Sequence, residues 1–250
     1  MSELNPNIPF NRSFPISSFD VDAKKQASMQ AVSRYLQEVA TLHANELEFG
    51  FHDMMKQDRG WLLAQMKIRV ERFPQIHEMI HVSTWSNGVD GRFATRDFRI
   101  TDDAGKEIAA AGSSWFVVDI ADKKICRLDE YFDPDDFTRI DWAIGGKPGR
   151  VRPLTDPDQE TEVTARYSDL DINGHMNNVK YLELILDMFK TDFRLSHDIY
   201  EIEMNFLKET IEGDVLGNML KVLEPGRDYL HCLFNKRTRK PSFTARTRWR

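Results

Sequence analysis

An Asp-apolar-Asp element occurs twice in this chain, as Asp20-Val21-Asp22 and again 149 positions on as Asp169-Leu170-Asp171, and the order of signals after each copy repeats as well. A helical pattern comes first. Met29, Val32, Leu36, Val39 and His43 recur at three- and four-residue steps, as do Val179, Leu182, Ile185 and Met188 or Phe189, which places each set on one face of a helix. Each helix carries a Tyr-Leu pair, Tyr35-Leu36 and Tyr181-Leu182, now 146 positions apart, so a small insertion separates the copies. Strand patterns come next in both halves. In the first they cover Met66–Glu71, His81–Trp85, Phe93–Ile100 and Trp115–Ile120, with Asp102-Asp103-Ala104-Gly105 as a hairpin turn. In the second they cover Ile199–Leu207, Val215–Leu223, Tyr229–Phe234 and Phe243–Trp249, with Glu224-Pro225-Gly226 as a turn. One helix and then an antiparallel sheet, twice over, predicts an α+β chain of two like halves, each a long helix wrapped by a curved antiparallel sheet.

Between the halves, Pro134, Pro148, Pro153 and Pro157 fall with acidic residues and the Gly145-Gly146 pair, which reads as a linker. The expected division is a first domain over 1–133, a linker over 134–160 and a second domain over 161–250. A hydrophobic fraction of 41% with 30% charged residues fits a folded soluble protein. No apolar run is long enough to span a bilayer, and the start of the chain has neither an apolar signal core nor an Arg-rich transit pattern. Cys126 and Cys232 are the only cysteines, too few and too far apart for a disulfide framework or a zinc site. A cytoplasmic location is the expectation. The net charge of -6 gives no global support for nucleic-acid or membrane binding.

The copies differ where chemistry would show. After the paired Asp residues the first reads Ala23-Lys24-Lys25-Gln26-Ala27, and the second reads Ile172-Asn173-Gly174-His175-Met176-Asn177-Asn178. If this segment is extended, Asp171, Asn173 and His175 project to one side. A helix N-cap in a solvated turn would also use Asn and Asp here, but three polar groups on one face, absent from the sister copy, favour a functional site.

The run Ser168-Asp169-Leu170-Asp171-Ile172-Asn173-Gly174-His175-Met176-Asn177-Asn178-Val179-Lys180-Tyr181 closely resembles the signature of the acyl-acyl carrier protein thioesterases of plants and bacteria. The resemblance covers nearly the whole chain and implies a tandem double hotdog that hydrolyses fatty acyl-carrier thioesters and so ends chain elongation, with no metal or organic cofactor. It implies catalytic roles for Asp171, Asn173, His175 and, on a strand after the second helix, Glu209, and a first domain that houses the acyl chain. Plant members often have Cys directly after this Glu. Here the position is Thr210, which argues against a Cys nucleophile, and Cys232 sits in another predicted strand. Glu71 looks like the first-half counterpart of Glu209, in a copy that lacks the Asn and His, so one active site per chain is expected.

Thioester hydrolysis needs a nucleophile, an oxyanion stabiliser and little help for the leaving thiolate. Glu209 is expected as general base for water, or as a direct nucleophile, with Asn173 holding the water or thioester. His175 would bond the thioester or departing sulfur, Asp171 would orient its neighbours, and backbone N–H groups near Gly174 to Asn177 would stabilise the oxyanion. The strand parity of Glu201, Glu203 and Asn205 taken alone makes Glu209 a solvent-facing residue. From Lys236 to Arg250 there are seven basic residues and no acidic one, and Arg246, Arg248 and Arg250 form a basic stripe expected to help dock an acidic acyl carrier protein; a charged edge is the alternative. The competing functions are an acyl-CoA thioesterase, a hotdog hydroxyacyl dehydratase, and a non-catalytic acyl-binding or nucleic-acid-binding module. Monomer and homodimer both remain open.

Overall fold

The computed structural model describes residues 8–128 and 142–250. Two compact units divide the chain, Met1–Pro148 and Gly149–Arg250. In the first, the elements run β1 (Phe10–Pro15), α1 (Met29–Glu46), α2 (Phe51–Met55), β2 (Arg59–Val70), β3 (Met79–Asp90), β4 (Phe93–Asp102) and β5 (Glu107–Asp119). The strands pair antiparallel in the order β1-β3-β4-β5-β2. Helix α1 starts where Ser28 Oγ accepts the Ala31 N–H at 3.1 Å, an N-cap that satisfies one of the orphan donors of the first turn. Its buried stripe includes Met29, Val32, Leu36, Val39 and His43, the residues whose spacing predicts the helix. They meet a sheet face carrying Ile80, Val82, Phe98 and Ile100, all buried.

The second unit repeats the plan with β6 (Gln159–Thr164), α3 (Asn178–Leu186), α4 (Thr191–Ser196), β7 (Ile199–Phe206), β8 (Val215–Glu224), β9 (Asp228–Asn235) and β10 (Lys240–Trp249). Its strand order is β7-β10-β9-β8-β6, again antiparallel. Val179, Tyr181, Leu182 and Ile185 of α3 are buried, with the Tyr181 ring stacked on Phe243 of β10 at 5.3 Å. Both expected hairpin turns occur where a residue must adopt positive φ, at Gly105 (φ 76) and Gly226 (φ 76). Among the described residues, no helix is long and apolar enough to cross a membrane.

Several expectations need correction. The second helix is short: α3 ends at Leu186, and Phe189 instead joins an aromatic cluster with Phe193 of α4, Tyr229 and Trp249. The segment expected as linker ends in strand β6, whose side chains are mostly exposed because it is an edge strand paired only with β8. Residues 134–141 of that segment lie outside the described residues. Strand β7 stops at Phe206, so Glu209 stands on a loop rather than a strand. Its supposed solvent-facing neighbours are covered: Asn205 Oδ1 accepts the Val151 N–H at 2.6 Å, Glu203 accepts the Gly149 N–H at 2.6 Å, and Glu201 pairs with Arg248.

Candidate active site

The signature segment forms a closed turn, not an extended strand. Leu170 and Met176 make an isolated antiparallel bridge, and the Asp171 N–H donates to His175 O at 2.8 Å while the Gly174 N–H returns to Asp171 O at 3.1 Å. Gly174 has φ 74, a conformation that costs a side-chain-bearing residue about 1 kcal/mol or more. The Asp171 carboxylate closes the turn from inside: its Oδ1 accepts the Asn173 N–H at 2.8 Å and the His175 N–H at 3.4 Å, an Asx-type turn. Asp171 therefore orients Asn173 and His175 through their backbone N–H groups.

Two further bonds fix the turn, the first of them against the loop that carries Glu209. The Met176 N–H donates to Thr210 O at 2.8 Å, and the Asn177 N–H to Asp169 O at 2.8 Å. Asn177 then caps α3, its Oδ1 accepting the Val179 N–H at 2.9 Å. The Met176–Thr210 bond brings Glu209 beside the turn, with its Oε2 3.3 Å from His175 Nε2. His175 is 29% exposed and Glu209 43%, so the pair is open to an incoming molecule yet fixed at its backbone. Asn173, two residues before His175, is exposed, as is Ile172, at 78%. Beneath the pair Thr210 is fully buried. The Tyr181 hydroxyl reaches it, and burial pushes that hydroxyl up to about 12.

The expected backbone oxyanion hole is not available. The N–H groups of Asn173, Gly174, His175, Met176 and Asn177 all have partners within the protein. The side-chain donors carried by this turn are the Asn173 amide and the His175 ring.

The sister loop in the first unit shows what has changed. There the Asp22 N–H donates to Gln26 O at 2.9 Å, the Lys25 N–H to Asp22 O at 2.9 Å, the Ala27 N–H to Pro74 O at 2.8 Å and the Ser28 N–H to Asp20 O at 2.9 Å. Asp22 Oδ1 accepts the Lys24 N–H at 2.8 Å, Val21 bridges Ala27, and Lys25 has φ 60. These five bonds and the bridge recur place for place in both copies, so the turn is the same. Lys24 and Gln26 occupy the places of Asn173 and His175. Because Pro74 takes the place of Thr210, the counterpart of Glu209 is Phe73, which is buried, and not Glu71. The duplication has kept the scaffold and its aspartate and has altered the residues at the places of Asn173, His175 and Glu209.

The basic stripe is also revised. Arg246 donates to Asp228 through Nε at 2.9 Å and Nη2 at 2.5 Å. Arg248 pairs with Glu201 and lies 3.8 Å from Asp228, and the Arg250 guanidinium lies 5.9 Å from the centre of the Tyr200 ring. With Glu203 opposite Arg246 in the ladder, Arg246 and Arg248 are compensated by acidic neighbours and do not form an unpaired cationic face.

Comparison with known proteins gives a consistent picture. A family model described as "Acyl-ACP thioesterase N-terminal domain" matches residues 7–134, and one described as "Acyl-ACP thioesterase C-terminal domain" matches residues 154–250. A palmitoyl-acyl carrier protein thioesterase of Gossypium hirsutum is 26% identical over 233 residues, covering 88% of this chain and 56% of its own length. An oleoyl-acyl carrier protein thioesterase of Arabidopsis thaliana is 26% identical, covering 86% of this chain and 64% of its own length. The chain thus spans less than two thirds of the curated relatives it matches. Among solved structures, an acyl-ACP thioesterase from Bacteroides thetaiotaomicron superimposes with a TM-score of 0.88 at 25% identity, covering all of both chains. The 12:0-ACP thioesterase of Umbellularia californica does so at 0.86 and 24% identity, covering 100% of this chain and 98% of that one, which speaks for the hotdog fold.

Proposed function

The chain belongs to the acyl-ACP thioesterase family, and from that premise we propose that it hydrolyses fatty acyl-acyl carrier protein thioesters to free fatty acid and carrier protein, ending chain elongation. The observation that carries this reading is the contact of Glu209 with His175 on a turn whose sister in the first unit holds Phe73 and Gln26 instead. The acyl chain is assigned to the first unit on family resemblance, and the reaction to the cytoplasm, where the free thiols of Cys126 and Cys232 are at home.

In the proposed reaction Glu209 accepts a proton from water as the water oxygen bonds to the thioester carbon. General-base assistance of this kind contributes about 100- to 10,000-fold. The Asn173 side-chain amide donates to the carbonyl oxygen as it becomes an oxyanion. Removal of one such donor typically lowers turnover by about 100- to 1000-fold. The C–S bond then breaks, and the proton held by Glu209 passes, through His175 or directly, to the departing sulfur. Asp171 holds the turn in place and takes no part in proton transfer.

The test is a comparison of one acyl chain on two carriers. Purified protein should release fatty acid from acyl-acyl carrier protein with a kcat/KM at least about tenfold above that for the matching coenzyme A ester, a difference of about 1.4 kcal/mol. Equal or inverted rates would reassign the substrate to acyl-CoA, and no release from either would remove the function.

A further inference from the structure

We propose that Asp214, clamped by Arg237, is a positioning residue that sets the distance between Glu209 and His175; this rests on the thioesterase reading above. The loop between β7 and β8 has to present Glu209 without help from a ladder. Before Glu209, the Leu207 and Lys208 N–H groups donate to Ser242 O at 2.8 and 3.2 Å. After it, Thr210 O is held by Met176, and the Ile211 N–H donates to Asp214 Oδ2 at 3.1 Å. Asp214 is thus the side chain that closes the far side of this loop.

The same residue ties the loop to two other elements. Its backbone O accepts the Ala165 N–H at 2.9 Å, and the Gly213 N–H donates to Ala165 O at 2.9 Å, so the entry to the Asp171 turn is fixed to the exit of the Glu209 loop. Its carboxylate accepts from Asn235 Nδ2 at 2.7 Å, from Arg237 Nη2 at 2.9 Å and from Arg237 Nε, which fastens both to the β9–β10 turn. The Asp214 side chain is only 2% exposed although it lies near the surface, because Arg237, itself 55% exposed, lies over it. The Arg237 hydrogen bonds hold the carboxyl at about 2, so it stays charged across any ordinary assay range. A buried carboxylate accepting four donors is costly to disturb, since any donor released must find water or remain unpaired.

The loop that carries Glu209 and the β9–β10 turn therefore meet at one carboxylate, and the entry to the Asp171 turn is bonded to the backbone of the same residue; the side chain lies outside the reacting groups. Misplacement of a reactive group by about 1 Å lowers rates by about 100-fold. The experiment compares Asp214→Ala and Asp214→Asn, each alone and combined with Glu209→Ala, by kcat and KM on acyl-acyl carrier protein, with circular dichroism for folding. Asp214→Ala should lower kcat by about 100-fold with KM within about twofold. Asp214→Asn still offers an acceptor to Ile211 but turns a donor toward Arg237, so about a tenfold loss is expected. In the Glu209→Ala background both should add less than about threefold, because positioning a carboxylate that has been removed has no further effect. If Asp214→Ala does not fold, Asp214→Asn carries the same comparison. A folded variant with kcat within twofold of wild type, or an equal fold-loss in both backgrounds, overturns the proposal. Absence of hydrolysis by the wild-type protein would instead be a failure of the thioesterase reading.

Discussion

Asp171 and Asp22 make the same turn in the two halves of the chain, and this separates scaffold from chemistry at the level of single residues. Replacing either with Ala removes a side-chain acceptor for the turn and should lower stability by about 1 kcal/mol, measurable as a shift in urea midpoint. Turnover should fall about 100-fold for Asp171→Ala and stay unchanged for Asp22→Ala, since only the former displaces Asn173 and His175. Asn173→Ala should lower kcat by about 100- to 1000-fold with little loss of stability, because its side chain is exposed and the backbone amides around it are already bonded. The identities of these residues are legible in the motif, but their geometry is not. Alternation along a strand predicts a shared face for Asp171, Asn173 and His175; the positive φ at Gly174 and the Asx bonds fold that stretch back on itself. Pairing Glu71 with Glu209 fails for a related reason, since the register of the sister loops is set by the bonds to Pro74 and Thr210, which spacing alone does not reveal.

Elements with a strong period are readable from the chain, and those without one are not. Helix α1 carries the expected period and β10 the expected alternation from Ala245 to Trp249, whereas β1 and β6 lie at sheet edges and carry polar residues without such a period. The first half of β5, Ala109-Ala110-Ala111-Gly112, has few β-formers, yet Ala109 to Ala111 are buried against both neighbouring strands. The break between α3 and α4 is hidden because Phe189 keeps the helical spacing while its ring serves the aromatic cluster. Helix α3 can be tested at its cap. Asn177→Ala removes the acceptor for Val179 and should lower the melting midpoint by an amount corresponding to about 1 kcal/mol. Its kcat should stay within about threefold of wild type, as the Asn177 N–H to Asp169 is a backbone bond and survives.

Across the whole molecule the duplicated plan is the most legible feature, because it is written in residue order, while the charge compensation of Arg246 and Arg248 is the least, because Asp228 and Glu201 lie well before them in the chain. Buried titratable groups give each unit its own pH response. Burial lowers His43 in the first unit to about 4 and His231 in the second to about 3. The unfolded chain therefore takes up protons below about pH 6.5 before the folded one does, and stability falls on acidification. Asp97 acts in the opposite direction: burial raises it to about 7, so its contribution is full below about pH 4 and is lost as pH rises through 7. Asp97→Asn should consequently raise the unfolding free energy relative to wild type at pH 8, by up to a few kcal/mol, and match it near pH 4; a constant difference across that range would contradict the assignment. The central claim is that one Glu–His pair on the second copy of a duplicated turn performs the hydrolysis. Its most direct test is the rate of thiol release from acyl-acyl carrier protein by Glu209→Gln, which keeps the shape of the side chain and removes its basicity. A general-base role predicts a fall of at least about 100-fold with an unchanged melting midpoint; a folded variant turning over within about twofold of wild type would contradict it.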